Sequence, residues 1–218
     1  RRIDPRTINV GLVTNTPQTR DELLQWVLHS LDQPFEVSFA TLLRSFHNFV
    51  YSEHQHGRRI ILIVDEAQNL RDDALESLRM LSNINVDKTQ FPQLILVGQP
   101  QLKHILSKPD LLQFAQRVSS DFHLRPLSQP EVVQYIQFRL AAAGAQHSLF
   151  TSEAAGLIAK ASGGVPRVIN ILCDTALVYG LSRALPQVTP EIVAEVIQDK
   201  RNYGIFPVNH MASANPVG

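Results

Sequence analysis

Residues 60–70 read Ile-Ile-Leu-Ile-Val-Asp-Glu-Ala-Gln-Asn-Leu, and no other stretch constrains the chain as strongly. Five aliphatic residues run without a polar break. A run this short fits a strand buried on both faces, as in a parallel sheet. Asp65 and Glu66 follow at once, which puts two carboxylates at the strand's C-terminal end, where open α/β sheets bind their ligands. An aspartate there can hold the water shell of a Mg²⁺ ion, and a glutamate beside it can polarise an attacking water. The plain alternative is an acidic turn leading into a solvated helix.

The flanking sequence supplies the rest of a sheet. Residues 8–13 predict a strand, with a turn at Asn15-Thr16-Pro17. Thr19 and Glu22 form a capping-box pattern ahead of Leu23, Leu24, Val27, Leu28 and Leu31 at helical spacing. Leu42, Leu43, Phe46, Phe49 and Val50 predict a second helix, stopped by Gly57. After the central run, Leu75, Leu78 and Leu81 predict another helix. Residues 93–97 predict a second buried strand running into Gly98-Gln99-Pro100. Short helices are expected over 102–106 and 111–118, and a last short strand over 122–124. Strands alternating with helices argue for a parallel sheet covered by helices, an α/β fold.

Past residue 126 the strand signals stop. Pro130, Thr151 or Ser152, Pro166 and Thr189-Pro190 each open a helical pattern, and Gly144 and Gly163-Gly164 close two of them. The expectation is a sheet domain over 1–126, a small all-helical domain over 127–201 and a tail over 202–218.

Composition narrows the class. The 44% hydrophobic fraction of these 218 residues fills a core, and 20 basic residues balance 20 acidic ones. The chain therefore has no global field to attract nucleic acid. Cys173 is the only cysteine, which excludes an internal disulfide and suits a reducing compartment. Its setting beside Ile171, Leu172 and Ala176 predicts a small core residue rather than a reactive thiol. The eight histidines show no metal-ligand spacing. Arg58-Arg59, ahead of the central strand, reads as solvated. No apolar run approaches membrane-spanning length. The chain opens on Arg-Arg-Ile-Asp, without a Met or a signal peptide, and reads as a piece of a longer protein.

Three more residues stand beside the carboxylate pair. Gln99 follows the second buried strand, so neighbouring parallel strands bring it near Asp65 and Glu66; it can contact a phosphate or the attacking water, or simply cap the next helix. Arg167, in Gly-Gly-Val-Pro-Arg (163–167), falls in the first turn of a helix, where backbone N–H groups and the guanidinium both favour an anion. Arg117, in Gln-Phe-Ala-Gln-Arg-Val (113–118), stands ahead of the last expected strand and can equally pair with Asp121.

The ordered motifs resemble those of the AAA+ ATPases, and more narrowly the general secretion pathway protein A (ExeA-like) family, whose close relatives serve MSHA-type pilus biogenesis. They are Val-Asp-Glu-Ala-Gln-Asn-Leu (64–70), Leu-Arg-Met-Leu-Ser-Asn (78–83), Leu-Val-Gly-Gln-Pro-Gln-Leu (96–102), Gln-Arg-Val (116–118), Leu-Arg-Pro-Leu (124–127), Tyr-Ile-Gln-Phe-Arg-Leu (135–140) and Ser-Gly-Gly-Val-Pro-Arg-Val-Ile-Asn-Ile-Leu-Cys-Asp (162–174). The likeness covers about residues 8–200. It implies a P-loop NTPase sheet with a helical lid, and ATP and Mg²⁺ as cofactors. By the same resemblance Asp65 and Glu66 are Walker B, with Asp65 holding Mg²⁺ through water and Glu66 orienting the nucleophile. Gln99 is then sensor 1 and Arg167 sensor 2, while Arg117 is an arginine finger acting on a neighbouring subunit, which implies a homo-oligomer. The implied setting is cytoplasmic, tethered to the inner membrane through segments not in this sequence, with envelope secretion or pilus assembly proteins as partners.

One departure matters. No Gly-x-x-x-x-Gly-Lys-Ser/Thr occurs, and none of the five lysines follows a glycine. In the family the P-loop, its strand and its helix precede the strand at 8–13. The sheet is therefore expected to lack its P-loop strand, leaving backbone unpaired and apolar faces uncovered, and this chain alone is expected not to hydrolyse ATP. Two other functions compete: a non-catalytic scaffold that kept the AAA+ shape, and a DNA-binding transposition helper, to which neutral charge lends no help.

Overall fold

The computed structural model describes residues 4, 6–15, 17–34, 38–86, 89–90 and 92–204. Its contacts divide the chain into two compact units, Arg1–Asp121 and Phe122–Gly218. In chain order the first runs β1 (Ile8–Val13), α1 (Arg20–Ser30), α2 (Phe39–Gln55), β2 (Arg59–Val64), α3 (Asp72–Ser82), the two-residue hairpin strands β3 (Asn85–Val86) and β4 (Thr89–Gln90), β5 (Gln93–Leu96), α4 (Gln101–Leu106) and α5 (Leu112–Ala115).

The run at 60–64 is the middle strand of a three-stranded parallel sheet, ordered β1-β2-β5. The register stacks Gly11, Leu62 and Leu94 in one row and Val13, Val64 and Leu96 in the next. These rows share a face, because alternate residues point to the same side. Leu62 and Val64 are fully buried there. Gly11 permits the approach of α1: a β-carbon on it would fall 2.6 Å from the Ser30 hydroxyl. The core beneath includes Leu23, Leu24, Val27, Leu28, Leu42, Phe46, Leu75 and Leu78. These are the apolar positions whose spacing predicted α1, α2 and α3, and truncating one to alanine costs about 2–5 kcal/mol.

The opposite face is different. Its central row is Leu12, Ile63 and Ile95, yet Leu12 is 53% and Ile95 46% exposed, and Val97 just beyond β5 is 45% exposed. Parallel sheets are normally covered on both faces. Among the described residues no strand pairs with the free edge of β5. An apolar face left open beside a bare strand edge is the gap expected of a sheet without its P-loop strand.

Residues 122–124, expected as a strand, form none; Phe122 and Leu124 are each 91% exposed. A strand exists only by pairing, and no described strand hydrogen-bonds to this one. The capping box of α1 is also displaced. Thr19 accepts from the Glu22 N–H at 3.2 Å, but the Glu22 carboxylate accepts from the N–H of Gln18 rather than that of Thr19.

The second unit holds α6 (Gln129–Ala142), α7 (Ser152–Ser162), α8 (Pro166–Ser182) and α9 (Pro190–Tyr203). They pack on Val132, Ile136, Ile158, Ile169, Leu172, Val193 and Val196. Ser128 caps α6 in a capping box with Glu131, and Thr151 caps α7 by accepting from the Ala154 N–H at 3.2 Å. Gly163 ends α7 in the left-handed conformation (φ 59°). Helix α9 continues through Tyr203, two residues into the expected tail; residues 205–218 lie outside the described part.

Candidate functional site

The carboxylate pair sits in a two-residue excursion of the chain. The Val97 N–H donates to the Val64 carbonyl and the Val97 carbonyl accepts from the Ala67 N–H, both at 2.9 Å. One residue beyond β5 therefore grips the chain on either side of Asp65 and Glu66. On the other flank the Asp65 N–H donates to the Val13 carbonyl at 2.9 Å. Both carboxylates thus emerge at the C-terminal end of the middle strand, between its two parallel neighbours.

To make this excursion Glu66 takes a left-handed backbone (φ 51°, ψ 34°), a conformation costing a side-chain-bearing residue about 1–2 kcal/mol. The Asp65 Oδ1 holds it by accepting from the Glu66 N–H at 2.8 Å, and the Glu66 carbonyl accepts from the Asn69 N–H at 2.9 Å. Ala67 is driven fully into the core. Asp65 is half-buried and the Glu66 side chain is exposed. The reversal aims Glu66 outward at the sheet's end, where a ligand can reach it.

Gln99 joins this cluster through a residue that sequence reasoning passed over. The Gln68 Nε2 donates to the Glu66 Oε2 at 2.5 Å, and the Gln68 Oε1 accepts from the Gln99 N–H at 3.0 Å. The structure therefore brings Asp65, Glu66 and Gln99 together. Gln99 lies two residues ahead of α4, whose N-cap is Pro100 and not Gln99; its carbonyl accepts from the Leu102 N–H at 2.9 Å, and its link to Gln68 is made by its backbone N–H.

The two arginines stand on other elements. Arg117 follows α5, exposed, and among the described residues it has no side-chain hydrogen bond or ion pair, with Asp121 or otherwise. Arg167 belongs to the second unit, exposed in the first turn of α8 behind Pro166. Its turn is built by Gly163 and Gly164, both at positive φ.

Among the described residues no three His, Cys, Asp or Glu side chains cluster as a metal cage. Asp65 fits a different kind of site: one of its carboxylate oxygens is engaged by the Glu66 N–H. Magnesium is commonly held by one or two carboxylates together with substrate phosphates and waters.

A parallel sheet with acidic residues at the C-terminal end of its middle strand, linked to the turn after the next strand, has the fold of the P-loop NTPases of the AAA class. Solved structures agree with the fold. Cdc6p from Pyrobaculum aerophilum superposes with a TM-score of 0.69 at 16% identity, covering 86% of this chain and 52% of that one. Aeropyrum pernix ORC2, in its ADPNP-ADP complexes, gives 0.67 at 14% identity over 88% of this chain and 52% of that one. The Thermotoga maritima RuvB Holliday junction branch migration motor gives 0.52 at 19% identity, over 88% and 61% respectively.

Residues 2–106 match the AAA domain family. General secretion pathway protein A of Aeromonas hydrophila is 34% identical over 181 residues, 82% of this chain. The chain is similar to the AAA proteins and, among them, to general secretion pathway protein A. It spans 33% of the length of that relative.

Proposed function

We propose that this chain is the Walker B, sensor and lid portion of an ATPase that assists assembly of a secretion or pilus complex in the bacterial envelope. The observation that carries the reading is the outward-facing Glu66 at the end of the middle strand, next to Asp65 and linked through Gln68 to Gln99. In this reading Asp65 holds the water shell of Mg²⁺, and the metal, when bound with ATP, neutralises charge on the phosphates. Glu66 orients the attacking water and takes up its proton. Gln99 helps place that water. Arg167 senses the phosphates from the helical unit, and Arg117 serves the nucleotide of a neighbouring copy in a homo-oligomer. The 34% identity to general secretion pathway protein A supports the envelope setting. Among the described residues no helix is long and apolar enough to cross a membrane.

The absence of Gly-x-x-x-x-Gly-Lys-Ser/Thr from all 218 residues favours a second reading, a non-catalytic scaffold of the same shape. The two separate in one experiment. ATP binding and turnover are measured for this chain and for a version extended upstream in frame. The ATPase reading expects both only in the extended protein, with Glu66→Gln abolishing turnover and preserving binding. If the extended protein also fails to bind nucleotide, the ATPase reading is lost and the scaffold stands.

A further inference from the structure

Gln68 spans two parts of the sheet's ligand end with one amide. Its nitrogen donates to the Glu66 carboxylate at 2.5 Å and its oxygen accepts from the Gln99 backbone N–H at 3.0 Å. The partners fix the orientation of the amide. Turned over, its oxygen would face a carboxylate and its NH₂ group would face another N–H. Gly98 is shaped around the same side chain: a β-carbon there would fall 2.7 Å from the Gln68 Oε1 and 3.4 Å from the Gln68 nitrogen of the main chain. Gln68 is half-buried on the short 3-10 turn Ala67–Asn69, whose first residue the Val97 carbonyl anchors. Glu66 itself is exposed, and Gln68 is the side chain that holds its carboxylate.

We infer that Gln68 is a positioning residue, a strut through which the Gly98–Gln99 turn sets where the Glu66 carboxylate points. The inference rests on the proposed ATPase reading for its catalytic consequence, and on geometry alone for the strut. The turn at Gly98–Gln99 faces the place where the reading puts the phosphates. A shift of that turn moves the Gln99 N–H, the Gln68 amide follows its hydrogen bond, and the Glu66 carboxylate is drawn with it or released. Occupancy at the nucleotide thereby reaches the water-orienting carboxylate through two hydrogen bonds. The Gln99 side chain need not touch Glu66 for this coupling.

The test is a double-mutant cycle read by amide hydrogen exchange at Gln99 in the 218-residue chain, which requires no nucleotide. Gln68→Leu removes the acceptor, and exchange at the Gln99 N–H accelerates about fivefold or more. Glu66→Ala unpins the strut from its far end and also accelerates it. Glu66→Gln keeps an acceptor for Gln68 and leaves it protected. Glu66→Ala added to Gln68→Leu changes nothing further. A merely local cap on Gln99 would respond to Gln68→Leu and ignore Glu66→Ala, and that result overturns the inference, as does an unchanged rate in Gln68→Leu.

The catalytic arm uses the upstream-extended protein. Gln68→Leu lowers kcat by up to about 10²-fold, the cost of a misplaced group, and leaves the KM for ATP nearly unchanged. An unchanged kcat overturns the positioning role. A wild-type extended protein that turns over no ATP defeats the ATPase reading instead, and the exchange cycle still decides the strut.

Discussion

Leu127 and Gly164 fasten the entry of α6 to the turn between α7 and α8. The Leu127 N–H donates to the Gly164 carbonyl at 2.9 Å, and a β-carbon on residue 164 would fall 2.0 Å from the Leu127 carbonyl oxygen. Gly164 also has φ 76°, a region that L side chains rarely adopt. Clash and backbone strain act together at this position. Gly164→Ala should destabilise the helical unit by about 3 kcal/mol or more. Gly144→Ala, at φ 91° and with nothing within 4 Å of the added carbon, should cost about 1–2 kcal/mol. Urea titrations followed by helical circular dichroism rank the two; equal losses would contradict the close approach.

Glu53 and Arg58 join the end of α2 to the start of β2. Glu53 is 3% exposed and accepts from the Arg58 Nε at 2.8 Å, with a second contact from Nη2 to its other oxygen. The Asn9 amide lies 3.5 Å from the same carboxylate. Arg58, read from the sequence as solvated, is therefore the counterion of a buried carboxylate, and this hydrogen-bonded ion pair raises its pKa above the ordinary arginine value. Removing one partner of a buried pair strands the other, whereas an apolar replacement of the buried member removes the charge itself. The expected order of stability loss is Arg58→Ala greatest, Glu53→Leu small, and Arg59→Ala smallest. Chemical denaturation midpoints check the order, and a larger loss from Arg59→Ala would refute it.

Cys173 packs against the core of the helical unit, and burial, with the Asp174 carboxylate adding to it, pushes its thiol from 9.0 to about 12. At pH 8 the thiolate population is then roughly a thousandfold below that of an unperturbed cysteine. Alkylation by iodoacetamide should be slowed accordingly in the folded protein and recover in urea. The sign of the pH effect follows. The fold favours the neutral thiol, so this contribution to stability is intact below about pH 9 and is lost as pH rises toward 12. A folded-state alkylation rate equal to the unfolded one would exclude such burial.

The sheet and the carboxylate pair were legible because one uninterrupted apolar run ending in Asp65-Glu66 has few structural solutions. Leu23, Leu24, Val27 and Leu28 announced α1 by the same periodicity that buries them. Gln68 was not legible. Its role depends on the left-handed turn at Glu66 and the missing side chain at Gly98, and neither leaves a periodic trace. The pairing of Arg58 was hidden because a buried glutamate near the end of α2 looks like any other polar helix residue. Residues 122–124 have strand composition, but composition cannot supply the neighbour that a strand requires.

The open face of the sheet carries its own consequence. Leu12, Ile95 and Val97 are large and about half exposed, and among the described residues no strand pairs with the outer edge of β5. Exposed apolar surface beside an unpaired strand promotes self-association. The 218-residue chain should bind an apolar dye and form concentration-dependent aggregates. Ile95→Lys should reduce both and change folding stability by only about 0.5 kcal/mol, as surface substitutions do. Light scattering with dye fluorescence checks this, and a loss of several kcal/mol would mean that the face is covered.

Arg117 tests the proposed oligomer directly. It is exposed just past α5, with no described side-chain partner, so its replacement should leave the fold intact. If it reaches a neighbour's nucleotide, Arg117→Ala in the upstream-extended protein lowers kcat by about 10³-fold or more and leaves nucleotide binding almost unchanged. Mixing then separates action on a neighbour from action within one chain. An Arg117→Ala subunit keeps its own Glu66, and a Glu66→Gln subunit keeps its own Arg117. Side by side they rebuild one complete site, so a mixture of two inactive proteins should recover turnover. Recovery can occur only if the arginine crosses the subunit boundary. Its failure, with each variant separately inactive, would confine Arg117 to its own chain and remove the main reason to expect an active oligomer.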